Sequence, residues 1–169
     1  HALKQPSGHI ITVGCYFCGG AFLAAIQVYG MNSLEGEISV QGSKNGALPV
    51  MAGALLHKGV TVLLNVPDIE DTRCMTDILR ELGCDCKREG IRLVIDASKA
   101  SGTEVPEKYV KAMRSSIILL GALLGRMKEG QCSLPGGCVI GARPVDLHLM
   151  VLRGLGAEIT EKEGKFRAD

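Results

Sequence analysis

Apolar residues along this chain change their period several times, and each change marks an element. Ile10 to Val28 carries no charged residue. Ile26-Gln27-Val28 and Glu37-Ile38-Ser39-Val40-Gln41 alternate with the period of a strand, with Asn32-Ser33 as a turn between them. Gly42-Ser43 ends the alternation, and Ser43 is a capping residue ahead of a small-residue helix through Val50-Met51-Ala52-Gly53-Ala54-Leu55-Leu56. Val60 to Val66 is rich in β-branched residues and reads as a strand ending at Pro67. Over Asp68 to Leu82 the spacing predicts a helix with Ile69, Met75, Ile78, Leu79 and Leu82 on one face and Gly83 at its end.

Cys84-Asp85-Cys86 and Ile91 to Ile95 read as an antiparallel pair turning through Lys87-Arg88-Glu89-Gly90. Ser98 to Glu107 is a polar loop. Lys108 to Arg126 predicts one long helical stretch, with Val110, Met113, Ile117, Leu120 and Leu124 at spacings of three and four. Leu79-Arg80-Glu81-Leu82-Gly83-Cys84-Asp85 then returns as Leu152-Arg153-Gly154-Leu155-Gly156-Ala157-Glu158. Gly53-Ala54-Leu55-Leu56 returns as Gly121-Ala122-Leu123-Leu124. A period of about 70 residues exceeds that of solenoid repeats and predicts a duplicated supersecondary unit. The second copy is longer between its helices, and the extra residues fall around Cys138. Its closing strands are expected to be cut short at Asp169.

Composition narrows the function classes. Of 169 residues, 46% are apolar, enough for a packed core, and the net charge is +1, which argues against partners captured by bulk charge such as nucleic acid or a membrane surface. Aromatic residues make up 4%, too few for base-stacking platforms. Seven cysteines at irregular spacing point to a reducing, cytoplasmic compartment, and neither Cys15-x-x-Cys18 nor Cys84-x-Cys86 has the second pair that a structural zinc site wants. Residues 1–25 read as an upstream extension or apolar leader, with a signal-peptide region or a short membrane span as alternatives. The globular pattern runs over 26–169.

Two stretches carry candidate chemistry. In Gly42-Ser43-Lys44-Asn45-Gly46-Ala47-Leu48-Pro49 a helix start offers free N–H groups and Lys44 adds a full charge, which suits a phosphate or carboxylate; an ordinary capped helix with a solvent lysine is the alternative. Pro135-Gly136-Gly137-Cys138 places a thiol on a glycine loop, with Arg143 and a helix start following, an arrangement that favours the thiolate. The alternative is a cysteine filling a small apolar gap. Arg114, beside an apolar helical face, has snorkelling as its default.

Gly42 to Pro49, Met113-Arg114-Ser115-Ser116 and Leu134 to His148 together resemble the enolpyruvyl transferase family, from about Ile26 to Asp169. The resemblance implies an α/β (α+β) fold of repeated βαβαββ units in an inside-out α/β barrel. About two units would lie in residues 26–169, as part of one domain of a longer enzyme, with 1–25 lacking a family counterpart. It implies transfer of the enolpyruvyl group of phosphoenolpyruvate to a hydroxyl, with release of phosphate. The segment from Cys138 to His148 points to UDP-N-acetylglucosamine as acceptor, in peptidoglycan synthesis, rather than shikimate 3-phosphate. The resemblance makes Cys138 the general acid and the target of fosfomycin. Lys44, Asn45 and Arg143 would bind phosphoenolpyruvate, and Arg114, Arg143, Pro144, Val145, Asp146, Leu147 and His148 the UDP-sugar. No metal or cofactor, no nucleic acid and no membrane partner is implied. The missing C-terminal part of the same enzyme is the expected partner, so the chain alone is expected to be inactive; a non-catalytic UDP-sugar-binding fragment is the other reading.

Overall fold

The computed structural model describes residues 10–16, 22–29, 35–133 and 145–169. The chain divides into two compact units, His1–Ser39 and Val40–Asp169. In the first, β1 (Ile10–Tyr16) and β2 (Phe22–Tyr29) pair antiparallel, with Ile10 opposite Tyr29 and an irregularity between Gly14 and Tyr16. The uncharged stretch is thus drawn into a hairpin, and among the described residues no helix is long and apolar enough to cross a membrane.

The second unit mixes helix and sheet, and the order helix, strand, helix, strand, strand runs through it twice. The first pass is α1 (Lys44–Gly53), a 3-10 turn (Ala54–Leu56), β3 (Val60–Leu63), α2 (Glu70–Glu81), β4 (Asp85–Glu89) and β5 (Arg92–Asp96). The second opens with β6 (Glu104–Val105) and α3 (Glu107–Ala112). A 3-10 turn (Arg114–Ile117) leads into α4 (Ile118–Met127), followed by β7 (Gly130–Ser133), α5 (Asp146–Gly154), β8 (Ile159–Lys162) and β9 (Lys165–Ala168). The sheets agree strand for strand. The first has the order β3-β5-β4 and the second β7-β9-β8, with β6 added in parallel on the outer side of β7. Six residues join β3 to α2 and twelve join β7 to α5.

The repeated Leu-Arg-x-Leu-Gly run has a local cause. After α2, the Gly83 N–H bonds the Arg80 carbonyl at 2.9 Å and the Cys84 N–H bonds Leu79 at 2.9 Å. After α5, Gly156 bonds Arg153 at 2.9 Å and Ala157 bonds Leu152 at 3.0 Å. Both are Schellman ends, and both need a left-handed residue, which Gly83 (φ +96°) and Gly156 (φ +98°) supply without a Cβ penalty.

One core runs across both passes: Leu48, Met51 and Leu55 meet Met75, Ile78 and Leu79, then Leu119, Leu123 and Cys132. A second cluster joins Ile117, Leu120, Leu149 and Phe166. α4 therefore contributes to both clusters, as its nearly all-apolar sequence requires. Arg126 in its last turn ties the two passes together. Its guanidinium donates to the Leu55 carbonyl at 3.3 Å and the Ala97 carbonyl at 2.8 Å.

Four expectations are corrected. The closing strands of the second pass are not cut short: β9 pairs with both β7 and β8, as β5 pairs with both β3 and β4. Glu37–Gln41 forms no strand: among the described residues nothing pairs with it, and Ile38 and Val40 stand 90% and 84% exposed. Without a neighbour to satisfy its backbone, alternation alone does not make a strand. Lys108 to Arg126 is not one helix, because Met113 is extended (φ −130°, ψ 106°) and separates α3 from the 3-10 turn and α4. The apolar spacing persists across the break because Met113 itself is buried, while Ser115 and Ser116 favour a local turn over continued helix. The loop Ser98–Glu107 contains β6, two residues too short to leave a periodic trace.

Candidate functional site

The first candidate group sits where α1 begins. Ser43 is extended (φ −72°, ψ 133°) and its Oγ accepts the Gly46 N–H at 3.3 Å, while the Ser43 carbonyl accepts Ala47 N–H at 2.9 Å. The chain enters this cap through Gly42, whose N–H donates to Asn65 Oδ1 at 3.1 Å. A Cβ on Gly42 would stand 1.9 Å from the Asn65 carbonyl oxygen, so only glycine lets the loop lie this close to the end of β3. Asn65 itself holds a left-handed φ of +57°, a conformation that asparagine tolerates better than most residues.

Lys44 is the first residue of α1 and Asn45 the second; both are exposed. Pro49 lies inside this helix and has no N–H to offer the Asn45 carbonyl four residues back. The Lys44 ammonium lies 2.5 Å from Asp71 Oδ2, in the first turn of α2. A groove of about 320 Å³ lies between α1 and β3, lined by Ser43, Gly46, Val50, Val62 and Asn65; neither Lys44 nor Asp71 is among its lining residues.

Arg114 opens the 3-10 turn leading into α4 as Lys44 opens α1. The two cations are seventy residues apart, as are the first residues of β3 and β7. They hold corresponding places in the two passes.

The second group lies where α5 begins. Val145 precedes the helix, Asp146 is its first residue, and a carboxylate there is favoured by the helix dipole. Leu147 and His148 are exposed and border a cleft of about 370 Å³ with Ile117, Ile118, Gly121 and Val151. This cleft is apolar on most of its wall, so it suits the less polar part of a ligand rather than a phosphate. Cys138, Arg143 and Pro144 lie outside the described residues. Lys44 and Asn45 are thus held together at one helix start, and Val145 to His148 at another.

The described cysteines contrast with what a reactive thiol needs. Burial pushes the Cys84 thiol up to about 11, Cys86 to about 12 and Cys132 to about 11, and burial also raises Cys74. At neutral pH all four are protonated packing groups. Among the described residues no group of three or more His, Cys, Asp or Glu is placed to hold a metal ion.

Sequence reasoning missed Asp71. The acids Glu70 and Asp71 at the start of α2 look like ordinary helix-dipole complements, and no local signal ties either to a lysine 27 residues upstream.

Residues 28–169 match the family of EPSP synthase (3-phosphoshikimate 1-carboxyvinyltransferase), and the chain belongs to that family of enolpyruvyl transferases. Among its relatives, UDP-N-acetylglucosamine 1-carboxyvinyltransferase 2 of Caldanaerobacter subterraneus is 42% identical over 145 residues, covering 86% of this chain and 35% of the relative. The UDP-N-acetylglucosamine 1-carboxyvinyltransferase of Desulforapulum autotrophicum is 43% identical over 143 residues, covering 85% and 34%. In structure the chain is similar to the enolpyruvyl transferase NikO from Streptomyces tendae, with a TM-score of 0.70 at 25% identity over 82% of this chain and 31% of that one. The chain spans about a third of the length of the curated relatives it matches.

Proposed function

We propose that this chain supplies part of an enzyme that transfers the enolpyruvyl group of phosphoenolpyruvate to the 3-hydroxyl of UDP-N-acetylglucosamine, in peptidoglycan synthesis in the cytoplasm. The observation that carries the reading is the pair of cations Lys44 and Arg114 opening corresponding helical segments, in a chain 42% identical to a carboxyvinyltransferase of that substrate. Anions bind well where a cation meets free helix N–H groups. In this reading Lys44, Asn45 and Arg143 hold phosphoenolpyruvate, while Arg114, Arg143 and Pro144 to His148 hold the nucleotide sugar. Its βαβαββ units belong to an inside-out barrel.

The chemistry is addition followed by elimination. The sugar oxygen bonds to C2 of phosphoenolpyruvate, its own proton passing to a base, while the Cys138 thiol gives a proton to C3. The tetrahedral ketal then loses phosphate from C2 and a proton from C3, which restores the double bond as an enol ether. Fixed cations around the phosphate stabilise charge as it leaves. The twelve-residue connection between β7 and α5 carries Cys138, so the thiol is joined directly to the segment Val145 to His148 assigned here to the nucleotide sugar.

The test is phosphate release with phosphoenolpyruvate and UDP-N-acetylglucosamine in the protein carrying this chain together with the remaining length of its relatives. Turnover that disappears in Cys138→Ala supports the reading; no turnover with the nucleotide sugar overturns it. The family description favours one other reading, with shikimate 3-phosphate as acceptor, and the same assay with that acceptor separates the two. Residues 1–169 by themselves are expected to show no turnover.

A further inference from the structure

We infer that Asp71 is a positioning residue for Lys44: it holds the ammonium at the start of α1 in the direction from which it meets a bound phosphate or carboxylate. The inference rests on Lys44 being an anion-binding residue, as proposed above.

A lysine at the first position of a helix stands at the positive end of the backbone dipole, where a cation is disfavoured. α1 has no acidic residue in its first turn to offset this. Left alone, a half-exposed lysine stem with several rotatable bonds would carry its charge out into water, where it is well hydrated. Instead Nζ lies 2.5 Å from Asp71 Oδ2, with side-chain exposures of 50% for Lys44 and 28% for Asp71. The carboxylate is the better enclosed partner, and it sits in the first turn of α2, where negative charge is favoured. So the energetics of each helix place the acid well and the base poorly, and the acid directs the base.

The turn carrying Asp71 is itself fixed. Thr72 next to it is fully buried; its hydroxyl donates to the Pro67 carbonyl at 2.6 Å and accepts the Ile69 N–H at 3.3 Å. The Arg88 guanidinium donates to the Val66 carbonyl at 3.3 Å and to Thr72 Oγ1 at 3.4 Å. A group held this way orients its partner with little loss on ligand binding. An ammonium has three N–H bonds. Asp71 takes one and leaves two for an anion, with the direction of the group already set.

The experiment titrates phosphoenolpyruvate into the intact protein and into Lys44→Gln, Asp71→Asn, Asp71→Glu and the double variant Lys44→Gln/Asp71→Asn. UDP-N-acetylglucosamine is titrated in parallel, and the melting temperature of each variant is recorded. Asp71→Asn is expected to weaken phosphoenolpyruvate about tenfold and the nucleotide sugar less than about twofold. Asp71→Glu should recover to within about threefold of the parent. The double variant should be no weaker than Lys44→Gln alone, as for two residues acting as one unit. Tighter phosphoenolpyruvate binding in Asp71→Asn would make the carboxylate a competitor and overturn the inference. So would losses that add in the double variant, or equal losses for both ligands. If Lys44→Gln itself binds phosphoenolpyruvate like the parent, the underlying reading of Lys44 fails. If Lys44→Gln weakens binding and Asp71→Asn does not, only the positioning role is lost.

Discussion

Asn65 closes over Gly42: its side-chain oxygen accepts the Gly42 N–H at 3.1 Å, and its own carbonyl oxygen fills the space where a Gly42 side chain would stand. Two residues later the chain reaches Lys44, so this contact fixes how α1 is entered. Gly42→Ala cannot be accommodated without moving backbone and should cost about 1–3 kcal/mol of stability. Gly46→Ala is the matched control. Its Cβ would meet Ser43 only at 3.7 Å, inside a helix where alanine is preferred, so stability should hold or rise by up to about 1 kcal/mol. Urea titrations of the two variants check both signs.

Arg126 bonds two carbonyls of the first pass, Leu55 in the 3-10 turn after α1 at 3.3 Å and Ala97 just beyond β5 at 2.8 Å, from a helix of the second. Arg126→Met keeps the length of the stem and removes the donors, leaving two carbonyls without this partner. A loss of about 1–3 kcal/mol is expected, with a single cooperative transition moved to lower urea. An unchanged midpoint would mean that water replaces the guanidinium at no cost.

Thiol reactivity should separate the buried cysteines from the thiol proposed to react. Because their folded-state pKa values are raised, Cys84, Cys86 and Cys132 hold almost no thiolate at neutral pH and gain it only as the pH climbs toward the values of about 11 to 12. With Cys138 as the activated thiol of the proposed reaction, iodoacetamide at about pH 8 should label it well ahead of these three in the folded protein, and unfolding should erase the difference. Peptide mass spectrometry of a time course reads both rates. Equal labelling before unfolding would count against an activated thiol.

Acid should loosen the fold through a few surface carboxylates. Arg73 holds Asp68 below its ordinary value, mainly through their hydrogen bond, and Lys108 does the same to Glu81. A carboxylate with a lowered folded-state pKa stabilises the protein above its unfolded value of about 4. That contribution is lost as the pH falls through the lower folded value. Both groups are exposed, so solvent keeps each effect small. Asp68→Asn should lower the melting temperature slightly at neutral pH and leave it less sensitive to acid than the parent's, which differential scanning fluorimetry across the acid range would detect.

What was legible in the sequence follows from where the physics is local. The helix over Glu70–Glu81 and the hairpin after it showed themselves because one face is apolar with period 3.6 and because Gly83 and Gly90 mark the turns, both with positive φ. The duplication was legible because both copies need the same Schellman end and so the same Leu-Arg-x-Leu-Gly. Met113 was misread, since burial keeps the helical spacing of apolar residues through a stretch of extended backbone. Glu37–Gln41 alternates correctly and still forms no strand, because pairing depends on a neighbour and not on pattern. In the site, Lys44 was visible as a cation after a capping serine, whereas its tie to Asp71 is a tertiary contact between two helices and left no trace in the spacing of either.

Two sheets with one strand order, joined to their second helices by connections of six and twelve residues, amount to a scaffold with a built-in blank. The shorter bridge shows that, in the first pass, strand and helix meet across only six residues. On the proposed reaction, a variant whose long bridge is trimmed to the length of its twin is expected to lose turnover, and its melting temperature would show whether the frame survives the cut.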